Sequence, residues 1–307
     1  MTNSMEAVFV MEVERFAIHG GPVIRTVVFL RGWPLRCLWC SNPESQVIRT
    51  HLFYLSNRCI GCGKCFGVCP SVAITFDVHP VFDRGKCTMC TACVDVCPQN
   101  AIKTVGKQMT VQEILNVVRK DKEYYDNSGG GVTFSGGEPF VQFDGLMQLL
   151  SACKKDGIHT VVETGGQVTL DKIKQAFPYV DLFLFDIKHT DKEILKVQTG
   201  ADATIVLDNL RYIAASNPEK AVIRIPIIPG FNNATEDIER IFRFTLEQKV
   251  KKIHLLPYHT LGKIKYEQMG RIYPFPYSDT MLPKEILTPL KNMGEEMNLD
   301  VQILQFP

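Results

Sequence analysis

Ten of the eleven cysteines in this 307-residue chain lie between Cys37 and Cys97, and their spacing defines the chemistry to consider. Two segments are near copies offset by 28 residues: Cys59-x2-Cys62-x2-Cys65-x3-Cys69-Pro70 and Cys87-x2-Cys90-x2-Cys93-x3-Cys97-Pro98. In this spacing three close thiolates wrap one face of a cubane iron–sulfur cluster, and the fourth cysteine points away to ligate the neighbouring cluster. The expected sets are Cys59, Cys62, Cys65 and Cys97 for one 4Fe–4S cluster, and Cys87, Cys90, Cys93 and Cys69 for the other. Structural zinc takes two ligand pairs across a longer loop, often with histidine, and the segment offers neither. A disulfide scaffold would need an oxidising compartment, to which nothing directs the chain.

Cys37 and Cys40 stand apart, in Arg31-Gly-Trp-Pro-Leu-Arg-Cys37-Leu-Trp-Cys40-Ser-Asn-Pro-Glu44, just after the apolar run TVVFL at 26–30. By themselves they read as a redox pair or as half of a metal site. Cys153, in SACKKDG on an expected helix, reads as a buried structural thiol.

Beyond residue 106, helical patterns at 110–125, 143–155, 170–177, 191–197, 205–215, 234–248 and 284–297 alternate with short apolar runs. Those runs, at 131–137, 159–166, 180–188, 221–230 and 252–259, end in turn residues. Strands alternating with helices predict a parallel sheet with right-handed crossovers, and runs apolar on both faces predict helices covering the outside. With the run at 26–30, six βα units emerge, which predicts an α/β fold built as a partial (β/α)6 barrel. The division expected is 1–49 for the barrel start and cysteine loop, 50–105 for an inserted bacterial-ferredoxin-like two-cluster domain, and 106–307 for the rest of the barrel. Folding of the insert is expected to depend on cluster assembly, because it carries few apolar residues. Chemistry in such barrels sits at the C-terminal strand ends. Here those ends carry Cys37 and Cys40, Gly136, Gly137 and Glu138, Glu163 and Thr164, Asp186 and Lys188, Arg224, and Tyr258 and His259.

Composition excludes several classes. Hydrophobic residues make up 45% and charged residues 22%, ordinary for a globular protein. A net charge of +1 leaves no global field toward nucleic acid or membrane. No run approaches the ~18 apolar residues of a spanning helix, and the N-terminus lacks a signal-peptide layout. A cytoplasmic protein is expected, with neither nucleic acid nor membrane as partner.

Taken together, these residues resemble the radical S-adenosylmethionine superfamily, and within it the larger glycyl-radical-enzyme activating enzymes that carry a twin-cluster insert. The resemblance runs through IRTVVFLRG-x-PLRCLWCSNPESQ (24–46), the insert, SGGEP (135–139), DIK (186–188), RIPIIPG (224–230) and LLPYHTLGKIKY (255–266). It implies a radical S-adenosylmethionine barrel with a third, radical 4Fe–4S cluster on which the methionyl amine and carboxylate of S-adenosylmethionine chelate an open iron. An electron from that cluster would cleave the sulfonium C–S bond, and the 5′-deoxyadenosyl radical would remove hydrogen from a glycine Cα of a partner glycyl-radical enzyme. A flavodoxin or ferredoxin electron donor and an anaerobic, reducing cytosol are implied as well.

Residue by residue, the resemblance gives Cys37 and Cys40 to the radical cluster. Backbone groups of Gly136 and Gly137 and the carboxylate of Glu138 would hold the methionyl ammonium. Lys188 would pair with the methionyl carboxylate, with Asp186 and Ile187 beside it. His259 would contact the adenosine portion, and Trp39, Cys40 and Ser41 would line the adenine side.

The sequence departs from the family at three places. The radical-cluster motif runs C-x3-C-x2-C, and its first cysteine position holds Trp33, whose indole N–H is only a donor. Where the family reads D-G-P-G-I-R-T, this chain has Gly20-Gly21-Pro22-Val23-Ile24-Arg25-Thr26. A glycine at 23 would permit a positive φ that valine resists. Either the cleavage is lost, or the third ligand comes from water or a small molecule, or these positions have been altered. Three functions compete: an activase, an electron-transfer or partner-binding iron–sulfur protein with a silent radical site, and radical chemistry on a small molecule. SGGEP, DIK and His259 favour the first; Trp33 favours the second.

Overall fold

A computed structural model describes residues 6–18, 20–277, 279 and 281–304. The strands are β1 (Ala7–Ala17), β2 (Arg25–Leu30), β3 (His51–Tyr54), β4 (Ile74–Phe76), β5 (Pro80–Phe82), β6 (Ile102–Val105), β7 (Lys107–Thr110), β8 (Gly131–Gly136), β9 (His159–Thr164), β10 (Leu182–Asp186), β11 (Ala221–Ile227), β12 (Lys252–Pro257) and β13 (Asp300–Ile303). Nine of them share one sheet in the order β13-β12-β11-β10-β9-β8-β2-β1-β7. The six runs expected from the sequence are the parallel strands β2 and β8 to β12. The fold is thus a partial barrel, open between β13 and β7 among the described residues.

Helices cover the outside of this sheet, as its apolar runs require. In chain order the helices are α1 (Lys64–Gly67) and α2 (Ala92–Asp95), which pack within the insert, then α3 (Val111–Arg119), α4 (Lys122–Ser128), α5 (Phe143–Lys155), α6 (Leu170–Ala176), α7 (Lys192–Thr199), α8 (Ala203–Ser216), α9 (Thr235–Glu247), α10 (Lys263–Gln268) and α11 (Thr288–Glu296). In α3 the buried residues Val111, Ile114, Leu115 and Val118 fall at helical spacing, and Thr110 and Glu113 form a reciprocal capping box.

Three differences from the sequence expectation have physical causes. The helix expected over 110–125 is two helices, because Asp121 between them turns inward to accept the Thr26 hydroxyl at 2.7 Å and pair with Arg15. The helix expected over 284–297 opens with a 3-10 turn at Lys284–Leu287, and α11 proper has Pro289 in its first turn. The sheet is also wider than six strands: β13 adds a parallel strand beside β12, and β1 pairs antiparallel with β2 and β7.

Residues 51–105 build their own two ladders, β3 with β6 and β4 with β5. The ladders are related by the 28-residue repeat, so Tyr54 opposite Ile102 matches Phe82 opposite Ile74. The repeat extends to backbone conformation. Gly61, Gly63 and Val72 take positive φ (66°, 69° and 50°), and so do their counterparts Met89, Thr91 and Asn100 (59°, 65° and 48°). Arg31, fully buried, ties this segment to the barrel: its guanidinium donates to the Val105 carbonyl at 2.7 Å and to the Glu44 carbonyl. Arg84 adds a second tie, donating to the carbonyls of Leu52 (2.7 Å) and of Gln268 at the end of α10 (3.2 Å). Among the described residues no helix is long and apolar enough to cross a membrane.

Candidate active site and cluster cavities

The C-terminal ends of β2 and β8 to β12 surround a cavity of about 190 Å3. The loop after β2 supplies Trp33, Cys37, Trp39, Cys40 and Ser41; β8 supplies Ser135, Gly136 and Gly137; β9 supplies Glu163 and Thr164; Asp186 and Lys188 come from β10, and Tyr258 and His259 from β12. The cavity thus gathers most of the strand-end residues that the sequence singled out.

Close backbone packing dictates the two glycines. A Cβ on Gly136 would lie 2.4 Å from the Leu30 carbonyl oxygen, and one on Gly137 would lie 2.3 Å from that of Gly32. The turn is stitched to the end of β2 by Gly137 N–H to Leu30 O (2.6 Å) and Glu138 N–H to Gly32 O (2.7 Å).

Glu138 is placed otherwise than the sequence implied. It is fully buried and is not part of the cavity wall. Its carboxylate accepts the Thr164 hydroxyl at 2.8 and 2.9 Å and the Gly165 N–H at 3.0 Å. Burial pushes this carboxyl up to about 7 despite those hydrogen bonds. Glu138 thus fastens the β8 turn to the end of β9, and the acids that face the cavity are Glu163 and Asp186. Ile187 is likewise buried away from the cavity, its N–H bonded to the Arg224 carbonyl at 2.9 Å.

A chain of charges crosses the barrel beneath the cavity. Glu163 accepts the Ser135 hydroxyl at 2.8 Å and pairs with Arg224 at 2.6 Å. Arg224 stands 3.8 Å from Asp186, which accepts from Lys188 Nζ at 2.9 Å. Burial works against the Lys188 charge, but Asp186 outweighs it and holds the lysine above its ordinary pKa. Asp186 Oδ1 and Arg224 Nε, the two atoms of that 3.8 Å contact, are buried and complete no hydrogen bond among the described residues. Burial lowers the His259 pKa, so the ring that faces the cavity is neutral near pH 7.

Trp39 is buried and packs on Phe231 at 4.6 Å and Phe275 at 5.9 Å between ring centres. Trp33 lies across the cavity wall with its ring centre 5.6 Å from Lys188 Nζ. A Cβ on Gly165 would come within 2.8 Å of the Trp33 ring, so this glycine gives the indole its room. Burial drives the Cys37 thiol up to about 12, with Lys188 pulling the other way. Cys40 is raised by burial as well. At the second departure, Val23 holds φ 55°, a left-handed conformation that a β-branched residue rarely adopts. Cys153 is wholly buried in α5, as the sequence implied.

The insert encloses two smaller cavities. Cys59, Cys62, Cys65 and Cys97 rim one, and Cys69, Cys87, Cys90 and Cys93 rim the other. These are the two crossed sets drawn from the spacing. Each carries a backbone N–H aimed at its remote thiol, Ala101 to Cys97 at 3.2 Å and Ala73 to Cys69 at 3.3 Å. Four thiols around one void, with amides directed at sulfur, suit a 4Fe–4S cluster in each.

Sequence reasoning missed Asn42 and Ser45, which also line the main cavity. It also missed the clamp that orders their loop: Lys265 of α10 donates to Asn42 Oδ1 at 2.6 Å and to Glu44 Oε1 at 2.8 Å. That contact spans more than 220 residues and leaves no local signal.

Comparison with known proteins agrees with this architecture. A family model described as the radical SAM superfamily matches residues 84–245, and one described as a 4Fe-4S dicluster domain matches residues 58–101. The isethionate sulfite-lyase activating enzyme of Oleidesulfovibrio alaskensis is 43% identical over 91% of this chain and 91% of its own length. The choline trimethylamine-lyase activating enzyme of the same organism is 38% identical over 86% and 88%. The 4-hydroxyphenylacetate decarboxylase activating enzyme of Clostridioides difficile is 40% identical over 88% and 87%.

Proposed function

This chain belongs to the radical S-adenosylmethionine superfamily, among the activating enzymes of glycyl-radical enzymes, and we propose that it installs the radical on a glycine of such a partner. The observation that carries the reading is the cavity at the strand ends, where a buried cation, two carboxylates and two thiols converge. Relatives at about 40% identity, all activating enzymes by name, leave a purely electron-carrying role without support.

A methionyl zwitterion matches the charges on the wall. Lys188 pairs with its carboxylate, and the backbone of Gly136 and Gly137 together with Glu163 and Asp186 receives its ammonium. His259, Trp39 and Ser41 flank the adenosine portion. The Arg224 ion pairs hold Glu163 and Asp186 in place, so little reorganisation accompanies binding. Cys37 and Cys40 would hold the radical cluster, and because Trp33 offers no thiolate its third ligand would be water or a small molecule. When bound, that cluster supplies the electron for reductive cleavage of the sulfonium, which generates the hydrogen-abstracting radical. A cytoplasmic flavodoxin or ferredoxin delivers electrons.

The test is anaerobic reconstitution with iron and sulfide, followed by dithionite and S-adenosylmethionine. Release of 5′-deoxyadenosine supports the reading, and its absence from both the wild type and Trp33→Cys overturns it.

A further inference from the structure

We infer that the Tyr54 hydroxyl donates a hydrogen bond to the Cys59 thiolate of the loaded insert and raises the reduction potential of that cluster, making the two insert clusters inequivalent. The inference rests on the reading that each four-thiol cavity of the insert holds a 4Fe–4S cluster.

Tyr54 ends β3 and lines the cavity rimmed by Cys59, Cys62, Cys65 and Cys97. Its hydroxyl is buried and, among the described residues, completes no hydrogen bond. A buried phenol without a partner is costly unless a ligand supplies one. The hydroxyl faces the Cys59 thiol, and a phenol has one O–H to donate. The ring packs at a tilt against Phe82, 5.3 Å between centres.

The repeat supplies an internal comparison. The counterpart of Tyr54 in the second copy is Phe82, which lines the other cavity and has no hydroxyl. One cluster therefore has a phenolic donor at a ligating sulfur and the other, at the same place, has a ring edge. The second cavity has a different donor, Ser71, whose hydroxyl oxygen lies 3.6 Å from Cys69 Sγ. Ser71 is only half-buried, so water can stand in for it, whereas the Tyr54 hydroxyl is shut off from solvent.

The electrostatic consequence has a definite sign. A hydrogen bond to a ligating sulfur stabilises negative charge, and the reduced cluster carries one more negative charge than the oxidised one. The bond is therefore stronger in the reduced state, and the cluster that has it is the easier to reduce. In the dry cavity the effect is larger than it would be in water.

The experiment uses the full chain with Cys37→Ala and Cys40→Ala, so that only the insert clusters titrate, reconstituted anaerobically to about eight irons. Reductive titration followed by electron paramagnetic resonance then reads both couples. Tyr54→Phe is expected to lower one couple and leave the other in place. Phe82→Tyr, which gives the second copy the missing hydroxyl, is expected to raise the other couple. If Tyr54→Phe leaves both couples unmoved, or shifts both equally, the inference is wrong. Should Tyr54→Phe fail to hold its iron, Phe82→Tyr decides: a raised couple upholds the inference and an unmoved one overturns it. A background protein that takes up far fewer than eight irons would instead overturn the two-cluster reading itself.

Discussion

Lys188 Nζ stands 5.6 Å from the centre of the Trp33 indole, so the ring at the position where the sequence leads one to expect a cluster cysteine lies against the buried cation proposed to pair with the methionyl carboxylate. The cation–π contact is worth about 1 kcal/mol. It means that substitution at residue 33 alters both cluster ligation and the setting of Lys188.

Trp33→Cys is expected to raise the iron retained after desalting from about eight toward about twelve per chain, because a third thiolate joins Cys37 and Cys40. Trp33→Ala opens the same space without a ligand and should leave the iron count unchanged. Iron and sulfide analysis of the three proteins checks this.

Lys188→Ala removes the cation from a buried pair and leaves Asp186 with Arg224 alone. The dissociation constant for S-adenosylmethionine should rise at least about tenfold, the loss of one charge-assisted hydrogen bond. Iron content should not change, and titration calorimetry under anaerobic conditions reads the difference.

Glu138 gives a pH dependence of definite sign. Its carboxyl is raised from 4.5 to about 7 in the folded chain. The folded state thus binds the proton more tightly than the unfolded one. The stabilisation is fully present below pH 4.5 and is lost as the pH rises through about 7, on the order of 3 kcal/mol in all. Glu138→Gln should flatten the profile of melting temperature over that window. Glu138→Ala should lower the melting temperature at every pH, because the Thr164 hydroxyl and Gly165 N–H lose their acceptor.

Val23→Gly should raise the melting temperature, relieving about 1 kcal/mol of strain at φ 55°. The wild type and variant compared by anaerobic calorimetry give the sign directly. Val23→Ala, which keeps a Cβ, should recover less than glycine does.

Much of this molecule is legible in its sequence for physical reasons. The crossed thiol sets follow from cluster geometry, and the six parallel strands follow from apolar runs that helices must cover. Strand-end logic found Lys188, Asp186 and His259, but it could not tell which acid faces the cavity. Glu163 lies within the end of β9 and Glu138 just beyond β8; only the tight Gly136–Gly137 turn, folded against β2, sends the Glu138 carboxylate back toward Thr164. Long-range clamps were invisible too. Nothing near Glu44 announces Lys265, and nothing near Asp121 announces Arg15 and Thr26, the contacts that divide α3 from α4. The strands β1, β7 and β13 escaped for another reason: β7 and β13, at the sheet's edges, are four residues long and half-exposed, and β1 turns charged and exposed in its second half, so their patterns do not stand out from loop sequence.

The central claim is that this cavity cleaves S-adenosylmethionine reductively with two cysteine ligands in place. The most direct measurement is 5′-deoxyadenosine released by the reconstituted chain under dithionite, with iron and sulfide kept in excess. The account predicts release from the wild type, faster release from Trp33→Cys, and none from Cys37→Ala. No release from the wild type, whether or not Trp33→Cys releases it, would contradict the account.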